Sequence, residues 1–597
     1  MDRFKFENRE KLIISVLFIL ISFLASSVLL KDNKFYLLGA QDWDQRYVYA
    51  ESSRRSILDY KQLPLWNAYH CGGMTQIGNP QNDFFSPAFL LILLYGPVAG
   101  YKLLFFFYLF IGLTGFYYLG LHHRISNLGS ILLACIYMLS GLVILPFAVG
   151  MTAFLNISLL PWLYLFYLNA LNKKSLRQVL LTAFTLAAFF MGGFHYFFLV
   201  LLFLFIITAA KGISVKSLKP FLIFITVLII FFPLVAVKLF PSLETLRNSS
   251  HFSLKNKETT SGYSLKTLYM SLLSTDQTFN GFYNWGQQDR PSLIDGSSYM
   301  IDENGMYVGV AGLVLFLIGI FYKRKKLGLI IIFTFFLILS FGFNLSPSLY
   351  KAVHSLPVFE NMRVAQRYRY FFMIPFVLFI GYGFDYISQA VFKILKNRFL
   401  QMALLILTIF FMVFHLASVN LSFLQSSFEI PLEKLEKSKS FVQSCGAWGD
   451  EYKYVSANYG SRDCFEPILL NASAKCSSDK DYTGEYYLDE NEGEVNLLYW
   501  SQNKLVFTVS IKNKNTLVIN QNFAPGWKAL LDGKIYTKVK NKNGLLAIEL
   551  SENNKKIELF YLPNSFLTGA LISSVTIFII VLIIAKTHLF SNRKSFK

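Results

Sequence analysis

Long apolar runs recur along almost the whole chain, separated by short polar stretches. They fall at residues 12–30, 99–121, 128–149, 152–171, 176–191, 194–210, 220–237, 305–322, 327–343, 370–387, 399–419 and 566–585. At 1.5 Å rise per residue, runs of about this length suit a ~30 Å hydrocarbon core, so the pattern predicts about 12 transmembrane helices. Residues 87–95 are apolar but too short to cross, which predicts a re-entrant or interfacial segment. A different period appears near the C-terminus. Residues 504–511, 516–522, 527–531, 535–539, 545–550 and 555–561 alternate or are rich in β-formers, and turn pairs such as Asp532-Gly533 and Asn543-Gly544 separate them. That spacing predicts an antiparallel β-sandwich or jelly roll. The predicted class is a mainly α polytopic membrane protein with a C-terminal extracytoplasmic β domain before the last helix. The predicted division is 1–419 (transmembrane module), 420–565 (β-rich domain) and 566–597 (last helix and basic tail).

Composition agrees with this pattern. Of 597 residues 54% are hydrophobic and 15% charged, where a soluble chain carries about 25% charged residues. The net charge of +20 is concentrated in alternate loops: Arg124; Lys173, Lys174 and Arg177; Lys211, Lys216 and Lys219; Lys323, Arg324, Lys325 and Lys326; Lys393, Lys396 and Arg398; and the tail with Lys586, Arg593, Lys594 and Lys597. By the positive-inside rule these loops and both termini are cytoplasmic. The basic excess is thereby explained as a membrane anchor, and no nucleic-acid motif accompanies it. The first apolar run lacks a small-residue cleavage site and is expected to remain as a helix.

Four polar segments then face outward: residues 31–86, 240–304, 344–369 and 420–564. Cys71, Cys445, Cys464 and Cys476 lie in them, in an oxidising compartment, and allow three pairings; a bridge within 445–476 is preferred, and no zinc spacing is present. The first segment is densest in chemistry. Asp42-Trp43-Asp44 lies just beyond the first apolar run, where carboxylates in a partly desolvated cleft serve as base, metal ligand or substrate anchor. Asp-x-Asp can also place oxygens around a divalent cation such as Mg or Mn. The alternative is simple solvation or pairing with Arg46 or Arg55. The stretch carrying Arg46, Glu51, Arg54 and Arg55 has no Gly or Pro and predicts an amphipathic helix in a loop lying on the bilayer surface.

The order of motifs along the chain resembles the bacterial YfhO-type membrane proteins of the GT-C glycosyltransferase superfamily. It is carried by Asp42-x-Asp44-Gln45-x-Tyr47, Leu63-Pro64-Leu65-Trp66-Asn67, Gly72-Gly73, Asn79-Pro80-Gln81 and Phe85-Ser86-Pro87. Further on it is carried by Phe240-Pro241-Ser242-Leu243-Glu244 with Asn248-Ser249-Ser250, and by Gly305-Met306-Tyr307-Val308-Gly309. Phe359-Glu360-Asn361-Met362-Arg363 with Arg367-Tyr368-Arg369, Ala524-Pro525-Gly526-Trp527-Lys528 and Asp532-Gly533-Lys534 complete it. Val364-Ala365-Gln366 departs from the family pattern, where a Pro-Ser-like pair is expected.

The resemblance implies an enzyme of the bacterial cytoplasmic membrane that takes a sugar from a polyprenyl-phosphate donor and passes it to a cell-envelope glycan or polymer, such as lipopolysaccharide or teichoic acid, on the outer face. Direct attack by the acceptor inverts the anomeric carbon. A carboxylate base, Asp42 or Asp44, would activate the acceptor hydroxyl, and arginines would hold the donor phosphate: Arg363, Arg367 and Arg369, with Arg46, Arg54 and Arg55 as further candidates. Glu51, Trp66, Asn67, Asn79, Gln81, Asn82, Asp83, His195 and Glu360 are candidate substrate contacts, Glu360 alternatively pairing with one of the arginines. Trp527 with the Asp532-Gly533 turn is either a carbohydrate-binding surface or ordinary core. Two other classes fit the same class of chain: a flippase or transporter of lipid-linked glycans, and a non-catalytic envelope-assembly protein. A flippase needs ionisable residues along a path through the spans, and here mid-span charge is nearly absent.

Overall fold

The computed structural model describes residues 8–594 except 195, 249–261, 276–300, 363, 447–448, 465, 467–472, 491, 534 and 553–554. Every predicted apolar run forms a helix. Eight helices are long and apolar enough to cross a membrane, from Arg9–Leu29 to Asn564–Lys586, and the bent pair Lys219–Leu234 and Ala236–Asn248 makes a ninth if it is one span. Leu176–Met191, Gly309–Tyr322 and Leu327–Ser340 are shorter apolar helices; at 14–16 residues and 1.5 Å per residue they fall short of a ~30 Å core. The short apolar segment at 87–95 is helical from Phe89 and is set off from the long helix that follows by a kink. It is the first part of the helix Phe89–His122, broken at Gly96, which takes φ 77° before Pro97. Proline removes a helix N–H and clashes with the preceding turn, so the break falls where the sequence places Gly-Pro.

The basic loops at Arg124 and at residues 323–326 meet beside the helix Arg369–Ile394. Asp385 accepts from the Ser126 N–H, Tyr382 Oη donates to the His123 carbonyl, and Lys323 lies over the Tyr382 ring.

The C-terminal strands match the predicted ones closely. One antiparallel sheet runs Lys540–Lys542, Leu545–Leu550, Asn515–Asn522, Tyr486–Leu488; the other runs Ile535–Lys538, Trp527–Leu531, Lys556–Tyr561, Lys504–Ser510, Glu494–Trp500. Phe507, Leu517, Ile519, Leu546, Ile548, Ile557 and Leu559 from both sheets share one core. Asn543 and Gly544 take φ 53° and 85° between partners Lys542 and Leu545, the two-residue turn with both φ positive that matches strand twist. The strands Tyr486–Leu488, Glu494–Trp500 and Lys540–Lys542 were not foreseen; the alternation in Glu494–Trp500 runs through Asn496 and a register shift after Leu497, which breaks the period-2 signal.

Candidate functional site

The first polar loop is largely enclosed by protein rather than laid out as an amphipathic surface helix. Its helix, Trp43–Leu58, has 13 of 16 residues buried, because the C-terminal segment closes over it. Gln502 Nε2 donates to the Ser52 carbonyl and to Ser56 Oγ. Arg55 donates to the Val455 carbonyl and Asn458 Oδ1 at 2.8 and 3.2 Å. Asn522 N–H donates to the Gly72 carbonyl, and the Gly72 N–H to the Ser461 carbonyl. Disulfides join Cys71 to Cys464 and Cys445 to Cys476. The segment 420–564 is therefore packed and bonded to the loop rather than hung from a linker.

Trp43 anchors the helix start. It is fully buried, its Nε1 donates to the Ala148 carbonyl, and its ring packs on Tyr47, Tyr101, Phe147 and Phe428. Gly150, at φ 89°, faces the Asp42-Trp43 backbone so closely that a Cβ would lie 2.3 Å from the Trp43 nitrogen. Only glycine fits both the torsion and the space.

Asp42 and Asp44 part company here. Asp42 is the N-cap residue and Asp44 the second helical residue; positions two apart on a helix point in different directions, whereas positions four apart share a face. Both Asp44 oxygens accept backbone N–H groups at the start of the helix Glu451–Ser456, from Glu451 at 2.7 Å and Tyr452 at 2.9 Å. Asp44 is a capping group, and burial raises its pKa to about 6 against the lowering effect of those two bonds. Asp42 is half-buried and its carboxylate caps nothing. Burial raises its pKa, while the charges of Arg46 and Arg367 oppose that and Glu303 adds to it. A cation bridging Asp42 and Asp44 does not fit these residues: one carboxylate is spent on helix N–H donors and the two diverge. The other groupings of ligand-type atoms, His70–Cys71–Cys464 and Cys445–Cys476–Asp479, have their sulfurs committed to disulfides.

The arginines also separate. Arg46, one helical turn from Asp42, donates through both terminal nitrogens to Gln81, to its carbonyl and side chain, and its buried Nε has no partner among the described residues. Arg367 is paired with buried Glu303 through Nε at 3.0 and 3.1 Å and through Nη2, and it lies over the Phe154 and Tyr196 rings. Its Nη1 takes no hydrogen-bond partner among the described residues. Arg369 is fully buried, donating to Tyr370 Oη. Arg55 is tied to the C-terminal segment and to Asp59, and Arg54 to the Leu93 carbonyl and Glu51; neither matches the expected phosphate role. Arg363 and His195 lie outside the described residues. Glu360 is exposed on a short turn, and the carboxylate that meets an arginine is Glu303, 64 residues before Arg367 in sequence. Nothing in the local pattern of Glu303 marked it.

Most of the remaining expected substrate contacts are internal. Trp66 is buried, with Nε1 donating to Gln521 Oε1 at 3.0 Å and its ring against Trp527 and Tyr561. This closes both tryptophans to a ligand, so Trp527 is core. Asn67, Asn79 and Asn82 brace their own loop by accepting from the N–H groups of Tyr69, Gln81 and Phe84. Asp83 differs: it is half-buried and accepts from Tyr101 Oη at 3.1 Å. Lys238, just beyond the end of the predicted span at 220–237, is fully buried and donates to the carbonyls of Asn82 and Phe190.

A buried charge cluster escaped the sequence. His70, with no exposed surface, has Nδ1 2.6 Å from Glu451 Oε2 and Nε2 3.5 Å from Glu466 Oε2. Tyr49 Oη donates to Glu466. Burial alone would depress the imidazole pKa, but the two carboxylates outweigh it and hold it at about 10. Its three partners come from distant segments, so spacing carried no signal.

No curated protein sequence matches this chain. Among solved structures, the chain is similar to the apo crystal structure of the Archaeoglobus fulgidus oligosaccharyltransferase, with 13% identity and a TM-score of 0.41 over 75% of this chain and 64% of that one. It is also similar to the archaeal oligosaccharyltransferase AglB of the same organism in complex with an inhibitory peptide and a dolichol-phosphate, with 12% identity and a TM-score of 0.38 over 70% and 56%. The chain thus spans less than two thirds of the length of either. Residues 485–573 match the family model of the bacterial membrane protein YfhO, in agreement with the resemblance carried there by Ala524-Pro525-Gly526-Trp527-Lys528 and Asp532-Gly533-Lys534.

Proposed function

We propose that this protein is a membrane glycosyltransferase that transfers a sugar from a polyprenyl-phosphate donor to a cell-envelope glycan or polymer, with inversion and with Asp42 as general base. The supporting observation is the Asp42 carboxylate itself: half-buried, uncommitted to any cap, and near the cations Arg46 and Arg367. The acceptor oxygen attacks the anomeric carbon, its proton passes to Asp42, and the bond from that carbon to the phosphate oxygen breaks. Burial makes Asp42 a stronger base than an exposed aspartate, as proton abstraction from a hydroxyl requires. The leaving phosphate gains charge, and fixed guanidinium groups in a site of low polarity stabilise it. Arg367, oriented by Glu303, and the unpartnered Nε of Arg46 are suited to that task.

The test is Asp42→Asn in reconstituted vesicles supplied with a polyprenyl-phosphate sugar. Transfer should fall by about 10²–10⁴, the usual contribution of a general base, with the thermal unfolding midpoint unchanged. Undiminished transfer would remove Asp42 from the mechanism.

A further inference from the structure

Four basic side chains from three loops gather at the end of the bundle away from Asp42. Arg124 follows the helix Phe89–His122, Lys173 ends the helix Leu160–Lys173, and Lys323 and Lys326 lie between Gly309–Tyr322 and Leu327–Ser340. The span Asn127–Ala148 separates them from the first loop: Arg124 precedes its start, and the Asp42 N–H donates to the Val149 carbonyl just past its end. Two glycines make the platform beneath them rigid. Gly319 and Gly383 set the helices Gly309–Tyr322 and Arg369–Ile394 so close that a Cβ on either would lie 1.8 or 2.0 Å from a carbonyl oxygen of the other. Lys323 Nζ lies 4.0 Å from the Tyr322 ring and 5.7 Å from that of Tyr382, and Lys326 Nζ lies 6.0 Å from Tyr382. Tyr382 Oη in turn donates at 2.8 Å to the His123 carbonyl, beside Arg124.

These cations face one another without a counter-ion. Among the described residues the carboxylate that meets them is Asp385, and both its oxygens are taken by the N–H and the hydroxyl of Ser126. Arg124 and Lys323 act on Lys326, whose pKa is pushed down by burial and by those like charges. Lys173 and Lys326 both act on His122. A cation just after Tyr322 or His122 offsets the negative end of a helix, but Lys326 stands at the start of Leu327–Ser340, the end that disfavours it. Repulsion of this kind is relieved by an anion. Apolar surface flanks the cluster: Phe321 is 75% exposed and Leu327 61%, and the Tyr322 and Tyr386 rings, 5.1 Å apart, are exposed too. A small free anion makes no use of that surface. A phospholipid brings a phosphodiester and acyl chains together, and basic loops at span ends lie at headgroup level.

We propose that Arg124, Lys173, Lys323 and Lys326 form a binding site for the headgroup of one anionic phospholipid, whose acyl chains run along Phe321, Leu327 and Tyr386. Arg124 meets the phosphodiester through its planar fork and the lysines as point charges. The bound lipid ties together three loops that repel one another in its absence. The site is separate from the proposed transferase chemistry and does not depend on it.

The experiment is native mass spectrometry of the purified full-length protein in neutral detergent, with phosphatidylglycerol and phosphatidylcholine of identical acyl chains as probes. The unaltered protein should retain phosphatidylglycerol about tenfold better or more. The combined Arg124→Gln, Lys323→Gln and Lys326→Gln variant should erase that preference, since each basic residue near an anionic headgroup contributes roughly fivefold. The combined Lys393→Gln, Lys396→Gln and Arg398→Gln variant removes the same charge from another basic loop and should keep it. Unchanged unfolding midpoints separate lost binding from misfolding, and Lys326→Gln alone, with a roughly fivefold loss, repeats the test if the first variant is poorly folded. Equal retention of the two lipids, a preference that survives the first variant, or an equal loss in the second overturns the proposal. Displacement of phosphatidylglycerol by inorganic phosphate at millimolar concentration overturns it as well, by marking a free-anion site.

Discussion

His70 should make the junction between the first loop and the C-terminal segment sensitive to alkali. In the folded chain its imidazolium is held at a pKa of about 10 by Glu451 and Glu466, with the Tyr49 ring edge-on at 5.3 Å and Asp44 within electrostatic reach. In the unfolded chain it reverts to about 6.5. A raised folded-state pKa stabilises fully below 6.5, and the contribution is lost as pH climbs through 10. At ~1.36 kcal/mol per pH unit of separation, roughly 4–5 kcal/mol is at stake, a large share of the stability of an ordinary domain. The assay is thermal unfolding of the detergent-solubilised protein followed by intrinsic fluorescence from pH 6 to pH 10. The midpoint should fall steadily across that range. His70→Gln should unfold at lower temperature at pH 6.5 and lose most of the slope, which separates His70 from lysines and tyrosines that titrate near pH 10. A variant with the same slope as the unaltered protein would refute the reasoning.

Other consequences follow from the same geometry. Asp44→Ala should cost about 1–2 kcal/mol through loss of the cap on Glu451–Ser456, read as a lower unfolding midpoint, while Asp42→Ala leaves that midpoint nearly unchanged. Because a general base must be ionised, transfer by the proposed enzyme should be present at neutral pH and fall as acid protonates Asp42, with an apparent pKa above the ordinary aspartate value; a pH–rate profile flat down to pH 4 would contradict this. Trp66→Ala should destabilise by ~3–5 kcal/mol, the usual cost of deleting a buried tryptophan, and increase proteolysis between the loop and the β-sheets. Peptide mapping without reduction should recover Cys71 linked to Cys464 and Cys445 linked to Cys476, and replacing Cys71 and Cys464 together by serine should cost ~2–5 kcal/mol.

Much of the architecture was legible because its signals are local. Apolar runs give helices wherever the backbone must satisfy its own hydrogen bonds in lipid. The six strands that alternate cleanly were readable within a residue or so, and Asn543-Gly544 announced its own turn. Even the divergence of Asp42 from Asp44 is contained in the sequence once Trp43–Leu58 is read as a helix, since side chains two apart do not share a face. The placement of Arg46 one turn on from Asp42, near enough for its charge to act on the carboxylate, follows from the same rule.

The chain by itself determined that this is a helical membrane protein with a β domain before its last helix, and that its polar chemistry gathers in the first loop. Only the tertiary structure decided which of those polar groups remain open to a ligand. Asp44, Arg55 and Trp66 are consumed by a C-terminal segment some four hundred residues away, Arg367 is oriented by Glu303, and Asp83 gains Tyr101 as a partner. The reason is physical: periodicity and turn chemistry act over a few residues, but an ionisable side chain is free or committed according to what the fold brings against it.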